Sequence, residues 1–238
     1  MNGRLSATSS SCTDVGTVRE INEDSCLDLP DLGIWAVADG MGGHEAGDVA
    51  SRMIVDTLAE VGEHRCLSEF VDDVEQRLLD VNDQLASMAR DAVMGSTVAV
   101  LLCHNHQGAF MWAGDSRVYR LRGGDLRLLT RDHSEVEDLI ASGEIDRSQA
   151  EEHPSSNVIT RAIGALEGES IDVRFQDLRA GDRYLLCSDG LYRVMQDEDL
   201  AALMGGGDVH HVCQDLVQTA LERGTRDNVT VVMVEFLD

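Results

Sequence analysis

Apolar positions in the first ninety residues follow one strand pattern and two helical patterns. Residues 32–38 form a continuous apolar run between polar turn residues, which is typical of a buried strand. Over residues 45–61, and again over 67–88, apolar side chains recur in steps of three and four, which predicts two amphipathic helices. The charges that flank the second pattern are not arranged for a coiled coil, so we expect this helix to pack on the protein's own sheet.

From residue 96 onward the pattern changes to short strands separated by turn residues. We predict strands over residues 97–103, 109–113, 117–121 and 126–130. Their connections are too short for parallel neighbours, which need a crossover of about a dozen residues or more, so these strands are antiparallel. Residues 134–163 are more polar, and we expect a helical or irregular excursion there.

The remainder of the chain returns to strands around one helix. The pattern predicts two strands, a helix and a final central strand, at residues 171–175, 184–187, 209–221 and 229–236. Antiparallel strands with helices on their faces make an α+β layered domain. We expect a flexible N-terminus over residues 1–10 and a single domain over 11–238.

The charge of the chain narrows the classes of partner. It carries 19 Lys and Arg against 44 Asp and Glu, which gives a formal net charge of −25. Such an excess repels the phosphates of nucleic acids and of anionic membrane surfaces, so we expect neither as a partner. Hydrophobic residues make up 43% of the chain, which is ordinary for a folded domain, so the acidity does not signal disorder.

Targeting signals and disulfide spacings are not recognisable in the sequence. No apolar run reaches the length of about 18 residues that a spanning helix needs, and residues 1–11 lack the apolar stretch of a signal peptide. The six cysteines are scattered without a CxxC spacing, which is typical of reduced thiols. We therefore expect a cytoplasmic location, and we expect the protein to act as a monomer.

Several acidic residues lie beside strand ends, next to residues that let the backbone turn. They are Asp39 before Gly40, Asp189 before Gly190, Asp115, Asp227 before Asn228, and Glu23 with Asp24 in an expected polar loop. Each one alone is typical of a turn. Together, in a strongly acidic chain, they predict a site for a hard cation, and oxygen ligands favour Mg²⁺ or Mn²⁺ over Zn²⁺.

Two of the charged residues leave two interpretations open. Arg19 either forms a surface ion pair with Glu20 or Glu23, or offers its guanidinium to phosphate oxygens beside the cations. Asp115 is either a turn residue that caps its own loop or pairs with Arg117, or it is a ligand of a further cation.

Short motifs built around these residues follow one another along the chain. They are Thr13-Asp14-Val15-Gly16 with Arg19 and Asn22-Glu23-Asp24, Val37-Ala38-Asp39-Gly40-Met41-Gly42-Gly43-His44, Gly95-Ser96-Thr97, Gly114-Asp115-Ser116-Arg117, Leu129-Thr130-Arg131-Asp132-His133-Ser134, Ser188-Asp189-Gly190-Leu191 and Asp227-Asn228-Val229-Thr230. In this order, over about residues 11–238, they resemble the metal-dependent protein serine/threonine phosphatases of type 2C, the PPM family. The Met41-Gly42-Gly43 segment is similar to the compact bacterial branch.

The resemblance implies a fold and a binuclear metal centre. The fold is a four-layer α-β-β-α sandwich, in which antiparallel helices flank two central antiparallel sheets. By position in the motifs, Asp39 would bridge two Mn²⁺ or Mg²⁺ ions. Asp189 and Asp227 would complete the sites of one ion, and the carbonyl of Gly40 would ligate the other.

Four further roles follow from the same resemblance. Glu23 would act through coordinated water, and Asp24 would lie behind the ligands. Asp115 matches the ligand of a third, weakly bound ion in bacterial relatives. Arg19 matches the arginine that binds the phosphate.

The resemblance also implies an activity and partners. We expect hydrolysis of phosphoserine and phosphothreonine on proteins by a metal-activated water, opposing a eukaryotic-like Ser/Thr kinase. The alternative is a catalytically silent, metal-bound scaffold in a signalling complex. The sequence names neither the substrate nor the kinase nor the pathway, of which control of type VI secretion is one open to a short bacterial member.

The sequence departs from the family pattern at two places. Longer relatives carry a histidine directly after the Asp-Gly pair as general acid, but that position is Met41 here, so we do not assign the acid role to His44. In the variable flap, over about residues 134–163, relatives often carry a basic residue after the His-Pro pair, whereas Ser155-Ser156 stands here.

Overall fold

Two antiparallel sheets form the middle of the protein. The computed structural model describes residues 5–42, 46–89, 94–150, 153–166 and 171–238. Its strands are β1 (Ser6–Asp14), β2 (Asp24–Leu29), β3 (Ile34–Gly42), β4 (Met94–Ser96), β5 (Val98–His104), β6 (Gln107–Ala113), β7 (Arg117–Arg122), β8 (Asp125–Leu128), β9 (Asp172–Asp177), β10 (Arg183–Cys187) and β11 (Val229–Leu237). Within these ranges, one sheet has the order β1-β11-β10-β7-β8, and the other has the order β2-β3-β5-β6-β9 with β4 paired to β3.

Helices cover the outer face of each sheet. They are α1 (Ala46–Ala59), α2 (Leu67–Met88), α3 (Glu135–Ser142), α4 (Asp189–Tyr192), α5 (Asp197–Met204) and α6 (Val209–Glu222), with a short 3₁₀ turn at Arg147–Gln149. The α2 helix has the predicted bounds, and its apolar stripe is buried against α1 and the sheet of β3, not in a coiled coil. None of the helices in the described ranges combines the length and apolar character needed to cross a bilayer.

The continuous apolar runs of the sequence are the strands that are buried on both faces. In β11, Val231 and Met233 join the core under α5 and α6, whereas Val232 and Val234 join the core between the sheets. Successive side chains of a strand point to opposite faces, so a strand between two cores needs apolar residues at every position. The α+β, four-layer α-β-β-α architecture is confirmed, and β11 lies between β1 and β10 as the expected interior strand.

Two polar segments are strands that the sequence pattern did not predict. We expected a flexible N-terminus over residues 1–10, but residues 6–10 belong to β1, which pairs along its whole length with β11. We expected Asp24 in a polar loop, but it is the first residue of β2 and lies opposite Asp39 of β3. Both expectations were wrong because main-chain hydrogen bonds to a neighbouring apolar strand stabilise a strand with few apolar residues of its own. The other predicted elements are confirmed, with ends displaced by a few residues.

Candidate metal and phosphate site

One cavity gathers the predicted functional residues at a common end of the two sheets. It measures about 620 Å³. Its lining includes the predicted residues Arg19, Glu23, Asp39, Gly40, Asp115, Asp189 and Asp227. Met41 lines it as well, while Gly43 and His44 lie outside the described residues. Side chains separated by almost the whole length of the chain therefore meet because the ends of β3, β6, β10 and the start of β11 lie at one edge.

Asp24 lies behind the cavity, against Asp39. The side chain of Asp24 is buried, and the hydroxyl of Ser188 donates to its Oδ2 over 2.7 Å. Its Oδ1 is buried without a hydrogen-bond partner among the described residues. Burial raises the pKa of Asp24 above its ordinary value, and burial together with the charges of Asp24 and Asp189 raises the pKa of Asp39 well above it. Ionisation of both carboxylates is therefore disfavoured unless positive charge is placed beside them.

Asp189 is positioned by the start of α4, and Asp227 by the start of β11. Asp189 begins α4, directly after β10, and its pKa is raised by burial although the guanidinium of Arg193 opposes the shift. The Nε of Arg193 donates to Asp189 Oδ2 over 2.6 Å. Asp227 lies just before β11, and its Oδ2 accepts a hydrogen bond of 2.7 Å from Arg19.

The position of Arg19 settles which partner it has. Its guanidinium binds Asp227, so of the two interpretations the ion pair with Glu20 or Glu23 was wrong, and Glu23 acts on it only through its charge. The loop folds back on the start of β11 instead of closing on itself, and Asn228 is the reason. Its amide nitrogen donates to the carbonyls of Val15 and Ile21, and its Oδ1 accepts from the N–H of Glu23.

Gly40 permits a close main-chain approach at the cavity. A β-carbon at this position would lie 2.1 Å from the carbonyl oxygen of Gly47 and 2.6 Å from that of Glu23. The N–H of Gly40 donates to the carbonyl of Glu23 over 3.1 Å. A side chain at this position would push the loop of Glu23 and α1 away from the end of β3, so the site requires glycine here.

Asp115 lies in the turn between β6 and β7, as predicted. Arg117 binds Asp132 over 2.8 Å and stacks on the ring of Tyr192, so the alternative in which Asp115 pairs with Arg117 was wrong. The hydroxyl of Tyr192 donates to Asp115 Oδ2 over 3.2 Å, and Arg193 lies 3.7 Å from the same oxygen. Burial, and then the charge of Asp189, raises the pKa of Asp115.

The turn that carries Asp115 rests on a histidine from the next loop. The N–H of Gly114, a residue with φ of +106°, donates to Nδ1 of His133 over 3.2 Å. His133 is buried and stacks on Trp112. No local pattern assigns a role to Tyr192 or Arg193, and Asn228 and His133 stand only as members of motifs, because the contacts of all four depend on how distant loops fold.

The carboxylates lie around the cavity on separate strands and do not form a closed cage. Among the described residues, no group of three or more His, Cys, Asp or Glu side chains is drawn together as a ready-made cation site. The residues nevertheless fit a hard divalent cation. Asp24 and Asp39 need positive charge beside them to ionise, and the Oδ1 of Asp24 has no hydrogen-bond partner among the described residues. The available donors are oxygens, which are the ligands that Mn²⁺ and Mg²⁺ prefer.

The segment predicted as a flap borders the cavity. It contains α3, whose first turn is capped by Ser134. A bridge between Ser134 and Ile159 joins the two ends of the flap, and a bridge from Ile163 to Ser96 of β4 joins it to the sheet. Asn157 and Ile159 line the cavity. The flap therefore forms one wall of the site.

Comparisons with known proteins agree with this arrangement. A family model described as protein phosphatase 2C matches residues 16–237. The serine/threonine protein phosphatase PstP of Mycobacterium tuberculosis is 35% identical over 95% of this chain, which spans 44% of that relative's length. The serine/threonine phosphatase stp of Listeria monocytogenes is 33% identical over 94% of this chain and 93% of its own.

Solved structures share the fold over nearly the whole chain. PppA, described as a key regulatory component of T6SS in Pseudomonas aeruginosa, has a TM-score of 0.91 and 40% identity, covering 98% of this chain and 99% of its own. The catalytic domain of PstP in complex with two manganese ions has a TM-score of 0.86 and 34% identity, covering 98% and 100%.

Proposed function

The chain belongs to the protein phosphatase 2C family, and on that premise we propose that it hydrolyses phosphoserine and phosphothreonine on proteins with a metal-activated water. The observation that carries this proposal is the convergence of Asp39, Asp189, Asp227 and Arg19 on one cavity. These side chains supply carboxylates for cations and a guanidinium for a phosphate, which are the groups that metal-assisted hydrolysis of a phosphate monoester uses.

Two Mn²⁺ or Mg²⁺ ions are the proposed cofactor, with a third bound weakly. Asp39 would be shared between the two ions, with Asp189 and Asp227 on one and the Gly40 carbonyl on the other. Glu23 would act through coordinated water, and Asp115 would meet the third ion. When bound, a pair of ions lowers the pKa of water and orients a phosphoryl group for in-line attack.

The chain's own residues fix the positions of these groups. Asp24 holds the end of β2 against Asp39, and Ser188 fixes Asp24 from the opposite sheet. Gly40 lets the carbonyl of its own strand reach the cavity without a side chain in between. Because one guanidinium nitrogen of Arg19 is bound to Asp227, the phosphate that Arg19 binds is positioned relative to a carboxylate of the metal centre.

The proposed partners are phosphoprotein substrates and a cognate Ser/Thr kinase. With a net charge of −25, the protein repels a phosphorylated substrate at long range. Cations at the cavity reverse the field locally, which limits productive binding to the site itself. We further propose that the protein acts as a monomer in the cytoplasm, where a reducing environment keeps cysteine side chains as thiols.

The test is release of phosphate from phosphothreonine and phosphotyrosine peptides in Mn²⁺ and in EDTA. The proposal predicts Mn²⁺-dependent release from the phosphothreonine peptide, lost in Asp189→Asn and retained in Asp56→Asn, which changes an exposed aspartate on α1. A wild-type protein that binds Mn²⁺ but releases no phosphate from any phosphopeptide or from p-nitrophenyl phosphate would support the scaffold alternative instead.

A further inference from the structure

Arg193 connects three segments of the site that are far apart in the sequence. It follows directly after α4, and its Nε donates to Asp189 at the start of that helix over 2.6 Å. A second nitrogen lies 3.7 Å from Asp115 in the turn between β6 and β7. The third donates to the side-chain oxygen of Asn157 in the flap.

The two carboxylates that Arg193 reaches are poorly solvated. The side chain of Asp189 is 16% exposed, and that of Asp115 is 9% exposed. The guanidinium of Arg193 lies 2.6 Å from a carboxylate oxygen of Asp189 and 3.7 Å from one of Asp115. Arg193 therefore supplies positive charge where a further cation would otherwise be favoured.

We propose that Arg193 is a resident cation at the edge of the metal centre, which competes with a third metal ion for Asp115 and Asp189 and fastens the flap through Asn157. Arg193 is a positioning residue, since its contacts are to carboxylates and to the flap. This inference rests on the proposed function, because it presupposes that Asp39, Asp189 and Asp227 bind metal.

Competition couples the third ion to the flap. An ion that takes the oxygens of Asp115 must displace or repel the guanidinium, and a displaced guanidinium loses its alignment with Asn157. Since such coupling is reciprocal, an ion that loosens the flap is bound more tightly by a protein whose flap link is already cut at Arg193. The third ion is then bound weakly because Arg193 competes for the carboxylates, as well as because Asp115 offers few ligand atoms.

The experiment is a calorimetric titration with Mn²⁺, alongside hydrogen exchange of the flap over residues 153–163. The variants are Arg193→Ala, Arg193→Lys, Asn157→Ala and, as a charge-matched control, Arg65→Ala, which removes an exposed arginine that precedes α2 and pairs with Glu69. In Arg193→Ala we expect the third ion to bind about tenfold more tightly or better, because a fixed competing charge is gone. Flap exchange should be faster than in the wild type.

The other variants separate the two roles. Asn157→Ala should speed flap exchange and, by the same reciprocity, tighten the third ion by no more than about threefold, because it removes one hydrogen bond and leaves the competing charge in place. Arg193→Lys should hold the affinity for the third ion within about threefold of the wild type, since it keeps the charge, yet release the flap, since it lacks the planar fork. This variant also tests the inference if Arg193→Ala does not fold.

Three results would overturn the inference. One is an unchanged or weaker third ion in Arg193→Ala, and another is an affinity in Arg193→Lys that differs from the wild type as much as that in Arg193→Ala. The third is unchanged flap exchange in both Arg193 variants. A wild-type protein that binds no Mn²⁺ at all contradicts the proposed function itself, whereas two tight ions without an effect of Arg193 contradict this inference alone.

Discussion

The two sides of the cavity balance their buried negative charge by different means. On the side of β2 and β3, Asp24 and Asp39 face each other across paired strands, and no arginine among the described residues is hydrogen-bonded to either. On the side of the turn between β6 and β7, Asp115 has the hydroxyl of Tyr192 and the guanidinium of Arg193 beside it. Buried carboxylates at strand ends therefore differ in what balances their charge: on one side the chain supplies a guanidinium, and on the other a bound cation would have to supply the positive charge.

The largest loss of activity is expected on the side of β2 and β3, where no arginine among the described residues is hydrogen-bonded to the carboxylates. Asp39→Asn should abolish turnover and tight binding of Mn²⁺, because the carboxylate proposed to be shared by both ions is gone. The melting temperature of the metal-free variant should not fall, because the amide removes a charge that burial and its neighbours already disfavour.

This prediction is checked by a rate assay, a Mn²⁺ titration and a thermal melt in EDTA. Asp56→Asn on α1 is the control, since it removes one exposed carboxylate of the same type. Turnover close to the wild type in saturating Mn²⁺ would contradict the assignment of Asp39, and a collapsed melt in EDTA would make it a folding residue.

The next effect concerns Arg19, which lies between the two sides. Arg19→Ala should raise KM and lower kcat more modestly, since it removes a phosphate contact without removing a carboxylate. Loss of one charge-assisted contact is worth about 1.5–3 kcal/mol, or roughly 10–150-fold in kcat/KM. The matched control is Arg127→Ala, which removes another exposed arginine bound to an aspartate. Kinetics equal to those of the control would leave Arg19 as an ion-pair partner of Asp227 only.

A smaller effect is expected at Asp115, where Arg193 already compensates charge. Asp115→Ala should leave two Mn²⁺ ions bound and the fold intact, and it should lower kcat about tenfold, which is ~1.4 kcal/mol of transition-state stabilisation. The dependence of rate on millimolar Mn²⁺ should weaken, since the weak third site would lose the carboxylate of Asp115. A variant that melts several degrees lower but whose rate curve overlays that of the wild type would show that Asp115 is structural.

The same contrast separates what the sequence could predict from what it could not. Asp39, Asp189 and Asp227 lie beside strongly apolar strands, so periodicity alone located them at strand ends. Asp24 was misplaced because β2 is polar and is a strand only through its pairing with β3. Short-range patterns carry no information about such a partner strand.

Contacts that involve the flap were still less accessible from the sequence. Arg117 is two residues from Asp115 and was the obvious partner, yet it binds Asp132 while Arg193 approaches Asp115. That choice depends on where the loop after β8 and the end of α4 meet in space. From the sequence, the spacing of Arg193 four residues after Asp189 could predict only an i, i+4 ion pair on a helix. No local pattern indicated a contact with Asn157.

The smallest expected effect concerns pH, and it belongs to the Asp115 side alone. His133 accepts from the N–H of Gly114 at Nδ1, which requires a neutral ring, and its Nε2 faces Asp172 at 3.4 Å. Burial, and then the charge of Arg161, lowers the pKa of His133 below its ordinary value of 6.5, against the opposing charges of Asp172 and Asp132. The unfolded chain therefore binds this proton more readily than the folded one, so the stabilising contribution is present above pH 6.5 and is lost as the pH falls from there towards the lowered pKa.

In His133→Asn, whose side-chain oxygen can accept from Gly114 without titrating, the unfolding free energy should fall less steeply between pH 7 and pH 5 than in the wild type. Denaturant titrations at a series of pH values in EDTA measure the two slopes without interference from metal. Parallel slopes would mean that protonation of His133 does not affect stability, and a steeper slope in the variant would contradict a lowered pKa of His133.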